Sequence, residues 1–355
     1  MLIGLIVNDI LTEQDDYTTT LLALTASNMG HEVWYINVGD FALRPDDRSY
    51  AHAYSILGER HRSPHVYLQR LRSQNAQKKE ICLDELDVLL LRNDPNQDAI
   101  SRPWARMAAI NFSLLAEQQG VIVLNDPSAL ALSLTKLYMH YFPRQVRPRT
   151  LVTRNMEEAK DFVVTEDGYA VLKPLFGSGG HNVFLIQPQD SGNINQMLEA
   201  VSREGYVIIQ EYMPDASHGD TRLFLLNGEP LRCRGKIAAI HRMRRSGDTD
   251  IRSNLTSGAI ARKADVTDEM LELADLVRTR LVQDGVFFAG LDIVGDKILE
   301  INILSPGGIH SAQALEQVPF ARTIIEKIEE KLAYRQKHPG QLSNKELATR
   351  CCQNL

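Results

Sequence analysis

The segment from Gly290 to Asn302, GLDIVGDKILEIN, constrains the fold more than any other part of this chain of 355 residues. Asp292, Glu300 and Asn302 fall on even-numbered positions. The odd-numbered positions around them are apolar: Leu291, Ile293, Leu299, Ile301 and Ile303. Because side chains alternate between the two faces of a strand, Glu300 and Asn302 share one face of a predicted β-hairpin. If the turn contains an odd number of residues, Asp292 lies opposite Glu300 on that face.

Two carboxylates and an amide oxygen on one face predict a binding site for a hard cation. Mg²⁺ binds through one or two carboxylates together with substrate phosphates. We therefore predict that Asp292, Glu300 and Asn302 bind Mg²⁺. The alternative is an ordinary hairpin with a polar, half-exposed face, but such a hairpin does not need two acids in opposition, since like charges repel across strands.

The stretch KPLFGSGGHNVFLI, residues 173–186, raises the question of a phosphate-binding loop. Lys173 precedes the glycines, whereas a Walker A loop places its lysine after them. The apolar run that follows the glycines reads as a strand, whereas a dinucleotide-binding fingerprint opens a helix. We predict a strand, a glycine-rich turn and a second strand, a flap whose backbone amides can cover phosphates. An ordinary glycine-rich hairpin is the alternative.

The order of patterns along the chain predicts an α/β protein. An apolar strand at residues 2–7, a helix and a second strand form a β-α-β opening that is typical of a parallel sheet. We expect four parts: a parallel α/β domain at 1–125, an α+β subdomain with the flap at 126–212, a second α+β subdomain with the metal site at 213–335, and a loose polar tail at 336–355. A helix over residues 128–142 would carry Lys136, and residues 44–79 give no clear pattern.

The overall charge and the cysteines exclude several classes of protein. A net charge of −6 and a pI near 6.0 argue against broad nucleic-acid binding, which needs a basic face. The four cysteines show no zinc or CxxC spacing. No apolar run reaches the ~18 residues of a membrane span, and the first ten residues lack the basic region of a signal peptide. We expect a cytoplasmic protein with no membrane partner.

Eight stretches in order resemble the ATP-grasp ligases, and most closely the prokaryotic glutathione synthetase family. They are LRNDPNQD, VLNDPSAL, LTKLYMHYFP, PRTLVTRN, VLKPLFGSGG, IIQEYMPDASHGDTRLFLLNGEP, RSNLTSG and FAGLDIVGDKILEINILSP. These stretches lie between Leu91 and Pro306, and the resemblance as a whole covers about residues 1–330. The resemblance implies an ATP-grasp fold, in which an N-terminal parallel-sheet domain precedes two α+β subdomains that clasp ATP.

The same resemblance implies which residues bind the nucleotide and the metal. Two lysines would hold the ATP phosphates, the flap would cover them, the strand after IIQ would bind adenine through its backbone, and Asp220 would lie beside the nucleotide. These residues are Lys136, Lys173, Gly177, Ser178, Gly179, Gly180, Glu211, Tyr212, Met213 and Asp220. Asp292, Glu300 and Asn302 would bind two Mg²⁺ ions, with Mn²⁺ as the alternative metal.

The implied reaction forms an amide bond through an acyl phosphate, with ADP and phosphate released. By resemblance, Arg222, Arg252 and Asn254 stabilise the acyl phosphate or the tetrahedral oxyanion. The substrate contacts would be Arg92, Ser305, Gly307 and Gly308. The best prediction is synthesis of glutathione from γ-glutamylcysteine and glycine, by a homo-oligomer acting on small molecules or short peptides. A related peptide or amino-acid ligase with another amine acceptor is the alternative, and a non-catalytic ATP-binding regulator is a third reading.

The chain departs from the family pattern around the substrate. After the metal strand the family usually continues close to NVTSPT, whereas this chain has NILSPGGIHSAQ. The loop at 241–252 is unusually basic, with His241, Arg242, Arg244, Arg245 and Arg252. We expect this loop to close over the reaction centre and to bind an anionic group of the substrate or a phosphate. A solvated, disordered surface loop is the alternative. Lys236 stands where the family has an arginine before this loop.

Overall fold

The computed structural model describes residues 1–58, 60–98, 101–177, 182–203, 205–243 and 259–350. The N-terminal part contains one six-stranded sheet in the order β4-β3-β2-β1-β5-β6. Its strands are β1 (Leu2–Val7), β2 (Glu32–Leu43), β3 (Ser49–Ser55), β4 (Gln77–Cys82), β5 (Val88–Leu91) and β6 (Ile122–Leu124). Strands β1, β2, β5 and β6 run parallel, which confirms the predicted parallel sheet. The stretch without a clear pattern supplies the antiparallel strands β3 and β4 at one side.

Helices cover both faces of this sheet. They are α1 (Thr18–Asn28), α2 (Pro64–Leu71) and α3 (Ala105–Gln118). Leu5 and Tyr35 pack in one buried cluster with α1 and α2, whereas their neighbours Ile6 and Ile36 pack in a second cluster with α3. This split follows from the alternation of side chains along β1 and β2. Both strands are apolar on both faces because helices cover both.

A separate four-stranded sheet forms the flap-bearing part of the chain. Its order is β7-β10-β8-β9, with β7 (Thr150–Thr153), β8 (Ala170–Pro174), β9 (Phe184–Ile186) and β10 (Val207–Glu211). Strands β8 and β9 are antiparallel partners on either side of the predicted flap. Helices α5 (Met156–Thr165) and α6 (Ile194–Ser202) pack on this sheet around a core cluster of its own.

The C-terminal part is built on the sheet β16-β15-β11-β17-β18. The strands are β11 (Asp220–Leu226), β12 (Glu229–Pro230), β13 (Arg232–Cys233), β14 (Lys236–Ile237), β15 (Ala239–Met243), β16 (Ile260–Lys263), β17 (Phe288–Val294) and β18 (Lys297–Asn302). The helices are α7 (Asp268–Gln283), α8 (Ile309–Glu316), α9 (Phe320–Lys337) and α10 (Asn344–Thr349). The two large core clusters each contain residues of both the N-terminal and the C-terminal sheets, so these two parts share their interior.

The long helix predicted over residues 128–142 is wrong. Helix α4 (Pro127–Leu132) ends after two turns, and Lys136 begins a separate 3-10 helix at Lys136–Tyr141. The break has a physical cause, because the Lys136 amide donates to Leu175 O at 3.1 Å instead of to the preceding turn. This hydrogen bond ties Lys136 to the end of β8.

The loose tail predicted from residue 336 is also wrong for the residues described. Helix α10 begins with a capping box between Ser343 and Glu346, and Leu347 and Ala348 are buried. The Asn344 side chain accepts from Val123 N and donates to Val123 O, both at 2.9 Å. The polar composition of this segment led to the prediction of a loose tail, whereas the segment contains a short helix that packs on the rest of the protein. The other predicted domain boundaries stay predictions.

Among the described helices, none combines the length and the apolar character that crossing a lipid bilayer requires.

Candidate active site

The β17–β18 hairpin brings Asp292 and Glu300 together by a route the sequence did not predict. The turn contains two residues, Gly295 and Asp296, so the condition stated for this pairing, an odd-numbered turn, is not met. A β-bulge between Asp292 and Ile293 shifts the register by one residue. Asp292 therefore pairs with Glu300 although the turn is even.

Asp292 is buried and bound by two arginines. Arg222 donates from Nε to Oδ1 and from Nη2 to Oδ2, both at 2.7 Å. Arg242 Nη2 lies 2.8 Å from Oδ2. Burial alone would raise the pKa of Asp292, but the two guanidinium groups outweigh it and hold this pKa well below its usual range. Gly290 makes room for this arrangement, because a Cβ there would lie 3.3 Å from Arg222 Cδ.

Arg242 lies on a strand and is paired, contrary to the expectation for the basic loop. It stands opposite Asp220 in the β11–β15 register and donates from Nε to Asp220 Oδ1 at 2.6 Å. His241 also belongs to β15, where its ring contacts Thr221 Oγ1 at 3.2 Å. Burial would lower the pKa of Arg242, yet Asp292 and Asp220 together raise it. The expectation of a basic loop is therefore wrong for His241 and Arg242, which belong to strand β15.

Lys236 does not reach the reaction centre. It lies on β14 with its Nζ 3.9 Å from Glu316, and more than half of its side chain is exposed. Arg242 instead contacts Asp292.

A cavity of about 140 Å³ lies between the flap-bearing sheet and β18. Lys136, Lys173, Gly177, Glu300 and Asn302 line it on the polar side. The apolar side consists of Leu134, Leu175, Ile208, Leu299, Ile301 and Leu304. The cavity thus joins the two predicted phosphate-binding lysines to two of the predicted metal ligands.

The two lysines occupy an electrostatically unfavourable position. Lys173 Nζ donates to Gln210 Oε1 at 2.9 Å, and Lys136 Nζ donates to Gly177 O at 2.6 Å. Burial, followed by the nearby charge of Lys136, lowers the pKa of Lys173 to about 8. Burial also lowers the pKa of Lys136, although Glu300 and Asp94 oppose this effect. Two half-buried cations that face neutral acceptors form a site that an anion would stabilise.

The flap base also contacts the N-terminal domain. The Arg106 guanidinium of α3 lies 3.9 Å from the centre of the Phe176 ring. This cation–π contact holds the residue before Gly177 against the N-terminal domain.

Glu300 and Asn302 fit a magnesium ion in part. Asn302 Nδ2 donates to Asp292 Oδ2 at 3.1 Å, so the amide is oriented by Asp292. No cluster of three or more His, Cys, Asp or Glu side chains suited to a metal occurs within the described ranges. The hard oxygen donors at this point are therefore one carboxylate and one amide, a set that Mg²⁺ completes with phosphate oxygens and water.

The SPGG loop links the predicted substrate residues. Arg92 Nη2 donates to Pro306 O at 3.1 Å, and Arg222 Nη1 donates to Gly307 O at 3.2 Å. Ser305 Oγ donates to Arg92 O at 2.9 Å. Gly308 has φ of +107°, and a Cβ there would lie 2.8 Å from Ile240 Cδ1. The loop is thus fixed between the N-terminal domain and β11.

Several predicted site residues lie elsewhere. The Glu211 amide donates to Arg149 O at 2.9 Å, and the Tyr212 ring stacks on Tyr169 at 6.3 Å. Neither these two residues nor Met213 line the cavity. Five predicted site residues lie outside the described residues: Ser178, Gly179, Gly180, Arg252 and Asn254. The same holds for Arg244 and Arg245.

Sequence reasoning missed other residues that line the cavity. They are Asp94, Asn96, His140, Arg147 and Gln210. Asp94 and Asn96 follow β5, and polar residues after a parallel strand are a recognised signal for a ligand site. For Gln210, only the register of β8 and β10 reveals that it lies beside Lys173.

Comparison with known proteins gives one consistent family. Residues 1–131 match the family model for the N-terminal domain of prokaryotic glutathione synthetase, and residues 135–317 match the model for its ATP-grasp domain. The chain is 31% identical over 314 residues to the glutathione synthetase of Vibrio vulnificus, covering 88% of this chain and 91% of that one. It is 32% identical over 311 residues to that of Gloeobacter violaceus, covering 87% and 90%.

Solved structures share the fold at low sequence identity. D-cycloserine synthetase DcsG superposes with a TM-score of 0.59 at 16% identity, covering 92% of this chain and 99% of that one. The ATP-grasp ligase PsnB, complexed with a minimal precursor, gives 0.58 at 17% identity and covers 93% and 99%. At this identity the likeness concerns the fold alone.

Proposed function

The chain belongs to the prokaryotic glutathione synthetase family and is an ATP-grasp carboxylate–amine ligase, and from this premise we propose that it joins γ-glutamylcysteine to glycine. The ATP-grasp prediction is thereby confirmed. The identity of the donor and of the amine belongs to the proposal.

The proposed reaction has two steps. The terminal phosphoryl group of ATP passes to an oxygen of the donor carboxylate, which gives an acyl phosphate and ADP. The amine nitrogen then attacks the carbonyl carbon, the C–O bond to phosphate breaks, and the amine loses a proton. A carboxylate alone is a poor electrophile, so the first step makes the second one feasible.

Each step has candidate residues in this chain. Lys136 and Lys173 would bind the phosphate oxygens from two sides of the cavity. Arg222 and Arg242, fixed by Asp292, would stabilise the negative charge of the tetrahedral intermediate with donors already in place. Two Mg²⁺ ions, held by Glu300 and Asn302 with Asp292 nearby, would supply neutralisation of the transferred charge.

The observation that carries the proposal is the pair of half-buried lysines that line one cavity with Glu300. Two ammonium groups and one carboxylate in a single cavity are complementary to a polyphosphate with a bound metal. The paired arginines lie on β11 and β15, and both contact Asp292, which stands opposite Glu300 in the β17–β18 hairpin. A phosphoryl-transfer site next to a fixed pair of guanidinium groups is what a ligase of this kind requires.

The test is a ligation assay on the purified protein with ATP, Mg²⁺, γ-glutamylcysteine and glycine. We expect a product with the mass of glutathione and one ADP per product. Reactions lacking one component at a time are the controls. ADP release without the tripeptide, or no ADP release with any candidate donor, would overturn the assignment.

A second acceptor is favoured by one observation at the SPGG loop. A Cβ added at Gly307 meets no atom of the described residues within 4 Å, so these residues leave space beside Gly307. An amine with a side chain has room there. The same assay with alanine or serine in place of glycine separates the two acceptors by kcat/KM. The homo-oligomeric state stays a prediction.

A further inference from the structure

The 3-10 helix Lys136–Tyr141 carries one of the two cavity lysines, and contacts outside this helix determine its position. The helix has six residues and begins at Lys136, directly after the extended residue Thr135. Hydrogen bonds in a 3-10 helix have poorer geometry than those of an α-helix, and runs longer than three or four residues are uncommon. The position of Lys136 in the cavity therefore depends on what holds this short helix in place.

Tyr138 is buried in this helix, and its hydroxyl has a charged partner. The residue is 3% exposed, and the hydroxyl donates to Asp284 Oδ2 at 2.8 Å. Arg280 Nε donates to the same oxygen at 2.7 Å. Burial, followed by the charge of Asp284, raises the pKa of Tyr138 well above its usual range, so the hydroxyl keeps its proton. A hydrogen bond to an ionised acceptor is roughly twice as strong as one between neutral groups.

Asp284 occupies an unfavourable position at the end of α7. It follows the last residue of that helix, where the helix dipole is negative, and its side chain is buried. Arg280, one turn earlier, compensates for its charge, and the Arg280 guanidinium also lies 4.6 Å from the centre of the Tyr141 ring. The end of α7 thus contacts the 3-10 helix at both Tyr138 and Tyr141, and the hydrogen bond from Tyr138 offsets part of the cost of placing an acid there.

The same point of α7 also holds the chain on the other side of Lys136. The Asp126 amide, at the start of α4, donates to Gly285 O at 3.1 Å. Gly285 has φ of +73°, and a Cβ there would lie 2.8 Å from Asp126 Cβ, so the two chain segments are in close contact. Asp284 and Gly285 therefore anchor residues 126–138 at both ends, and Lys136 lies between the two anchors.

We propose that Tyr138 is a positioning residue for Lys136, because the hydrogen bond from its hydroxyl to Asp284 fixes the 3-10 helix with the Lys136 ammonium in the cavity. The inference rests on the phosphate role proposed for Lys136. A lysine side chain is a flexible stem that ends in a point charge. Fixing the backbone that carries it reduces the freedom that is lost when a nucleotide polyphosphate binds. Tyr138 acts through Lys136, so its contribution to ATP binding disappears when Lys136 is replaced.

The experiment is a double-mutant cycle of Y138F and K136M, measured by calorimetric titration with ATP and Mg²⁺. Y138F removes the hydroxyl and keeps the ring, which packs edge-on against Phe142 at 5.2 Å. In the wild-type protein we expect Y138F to weaken ATP binding about tenfold, which lies within the usual range of coupling between residues of one network. In the K136M protein the same substitution should change the affinity by less than about twofold.

Two controls separate this effect from weak binding and from general damage. Y138F should keep its effect in K173M, which also binds ATP weakly but replaces a lysine of β8. Y141F removes the hydroxyl of an exposed tyrosine from the same 3-10 helix and should leave the ATP affinity within about twofold of the wild type.

D284N removes the charge that binds the hydroxyl and should show the same dependence on Lys136. It provides the test if Y138F does not fold, and thermal unfolding verifies the fold of each variant.

The outcomes separate this inference from the proposed function. A Y138F substitution that weakens ATP binding equally in the wild-type and K136M proteins overturns the inference, because Tyr138 then acts on the nucleotide or on the fold. Unchanged affinity in Y138F alone also overturns it. If K136M binds ATP as tightly as the wild type, the phosphate role of Lys136 and the inference fail together. These titrations contain no donor and no amine, so a failure to ligate γ-glutamylcysteine overturns the proposed donor alone.

Discussion

Asp292 and Glu13 are carboxyl groups buried to nearly the same extent, at 3% and 5% exposure, yet their charge states differ. Asp292 accepts hydrogen bonds from two guanidinium groups, and its pKa lies well below the usual range. Glu13 accepts none at Oε2, and its pKa is raised to about 7. Burial alone therefore does not decide the charge of a carboxyl group. The decisive factor is whether a cation lies within hydrogen-bonding distance.

The two carboxyl groups also differ in whether hydrogen-bond donors surround them in the free protein. The donors around Asp292 are fixed before any substrate arrives, which lowers the cost of stabilising charge during the reaction. Among the described residues, Glu13 Oε2 has no such partner, and burial raises the pKa of this carboxyl. Single substitutions at Asp292, Lys173 and Glu300 test the site with fixed donors, and a substitution at Glu13 tests the acid without a cation partner.

The largest effect is expected from D292N. Removing the charge leaves Arg222 and Arg242 buried with less compensation, and breaking a buried ion pair typically costs about 3–5 kcal/mol. We expect the free energy of unfolding to fall by this amount and ligation to be lost. Urea denaturation and the ligation assay measure the two effects. D296N, which changes an exposed acid of the same hairpin, is the control, and a D292N protein as stable as the wild type would contradict the pairing.

The second prediction concerns pH and Glu13. Between pH 4.5 and about 7 the folded protein holds a proton on Glu13 that the unfolded chain has released. Stability from this group is therefore complete below pH 4.5 and is lost as pH rises towards 7, by about 3 kcal/mol at 1.36 kcal/mol for each pH unit. E13Q should lack this slope. Denaturation of both proteins at pH 5 and pH 8 measures it, and parallel curves would show that Glu13 does not titrate as inferred.

A smaller effect, on the affinity for ATP, is expected when the positive charge of Lys173 is removed. K173M should weaken ATP binding about 10- to 100-fold, or roughly 1.4–2.8 kcal/mol, while the protein stays as stable as the wild type. The reason is that Lys173 faces Lys136 and pairs with a neutral amide, so the folded protein gains little from its charge. Calorimetric titration with ATP measures the affinity. K160M, at an exposed lysine of α5, is the control, and unchanged affinity in K173M would contradict the phosphate role.

The smallest effect is expected from E300Q. It should raise the Mg²⁺ concentration for half-maximal activity about tenfold, or ~1.4 kcal/mol, because one hard anionic ligand becomes neutral. A magnesium titration of the ligation rate measures this change. An E300Q enzyme with the wild-type magnesium requirement would exclude Glu300 as a ligand.

The sequence predicted the structure best in two cases: where side chains alternate between the faces of a strand, and where strands and helices follow one another in a typical order. The parity of Asp292, Glu300 and Asn302 predicted a shared polar face, and the β-α-β opening predicted the parallel sheet. The bulge interrupts the two-residue repeat, and its trace in the sequence is the pair of consecutive apolar residues Ile298 and Leu299. The sequence made the pairing of Asp292 with Glu300 conditional on an odd-numbered turn, whereas the bulge produces this pairing with an even one.

The remaining sequence-based predictions were wrong where a contact between distant segments of the chain determines the structure. In the sequence, Arg242 belongs to a run of basic residues, and only the β11–β15 register shows that it contacts Asp220 and Asp292. The sequence around Lys136 predicts a continuous helix, and only the hydrogen bond from its amide to Leu175 O shows that the helix is interrupted. Glu13 gave no signal, because a single acid in a polar loop is ordinary in sequence and unusual only when it is buried.

The docking of Asn344 on Val123 has a consequence for synthesis of the chain. Strand β6 is the last strand on one side of the N-terminal sheet, and the Asn344 amide takes the place of a neighbouring strand at Val123. Residue 344 is made 221 residues after residue 123. At about 5–20 residues per second, the ribosome leaves this strand without its partner for roughly 10–45 s. During that interval the nascent N-terminal domain exposes a strand that can pair with another chain, and chaperones that bind nascent chains would act on this protein then.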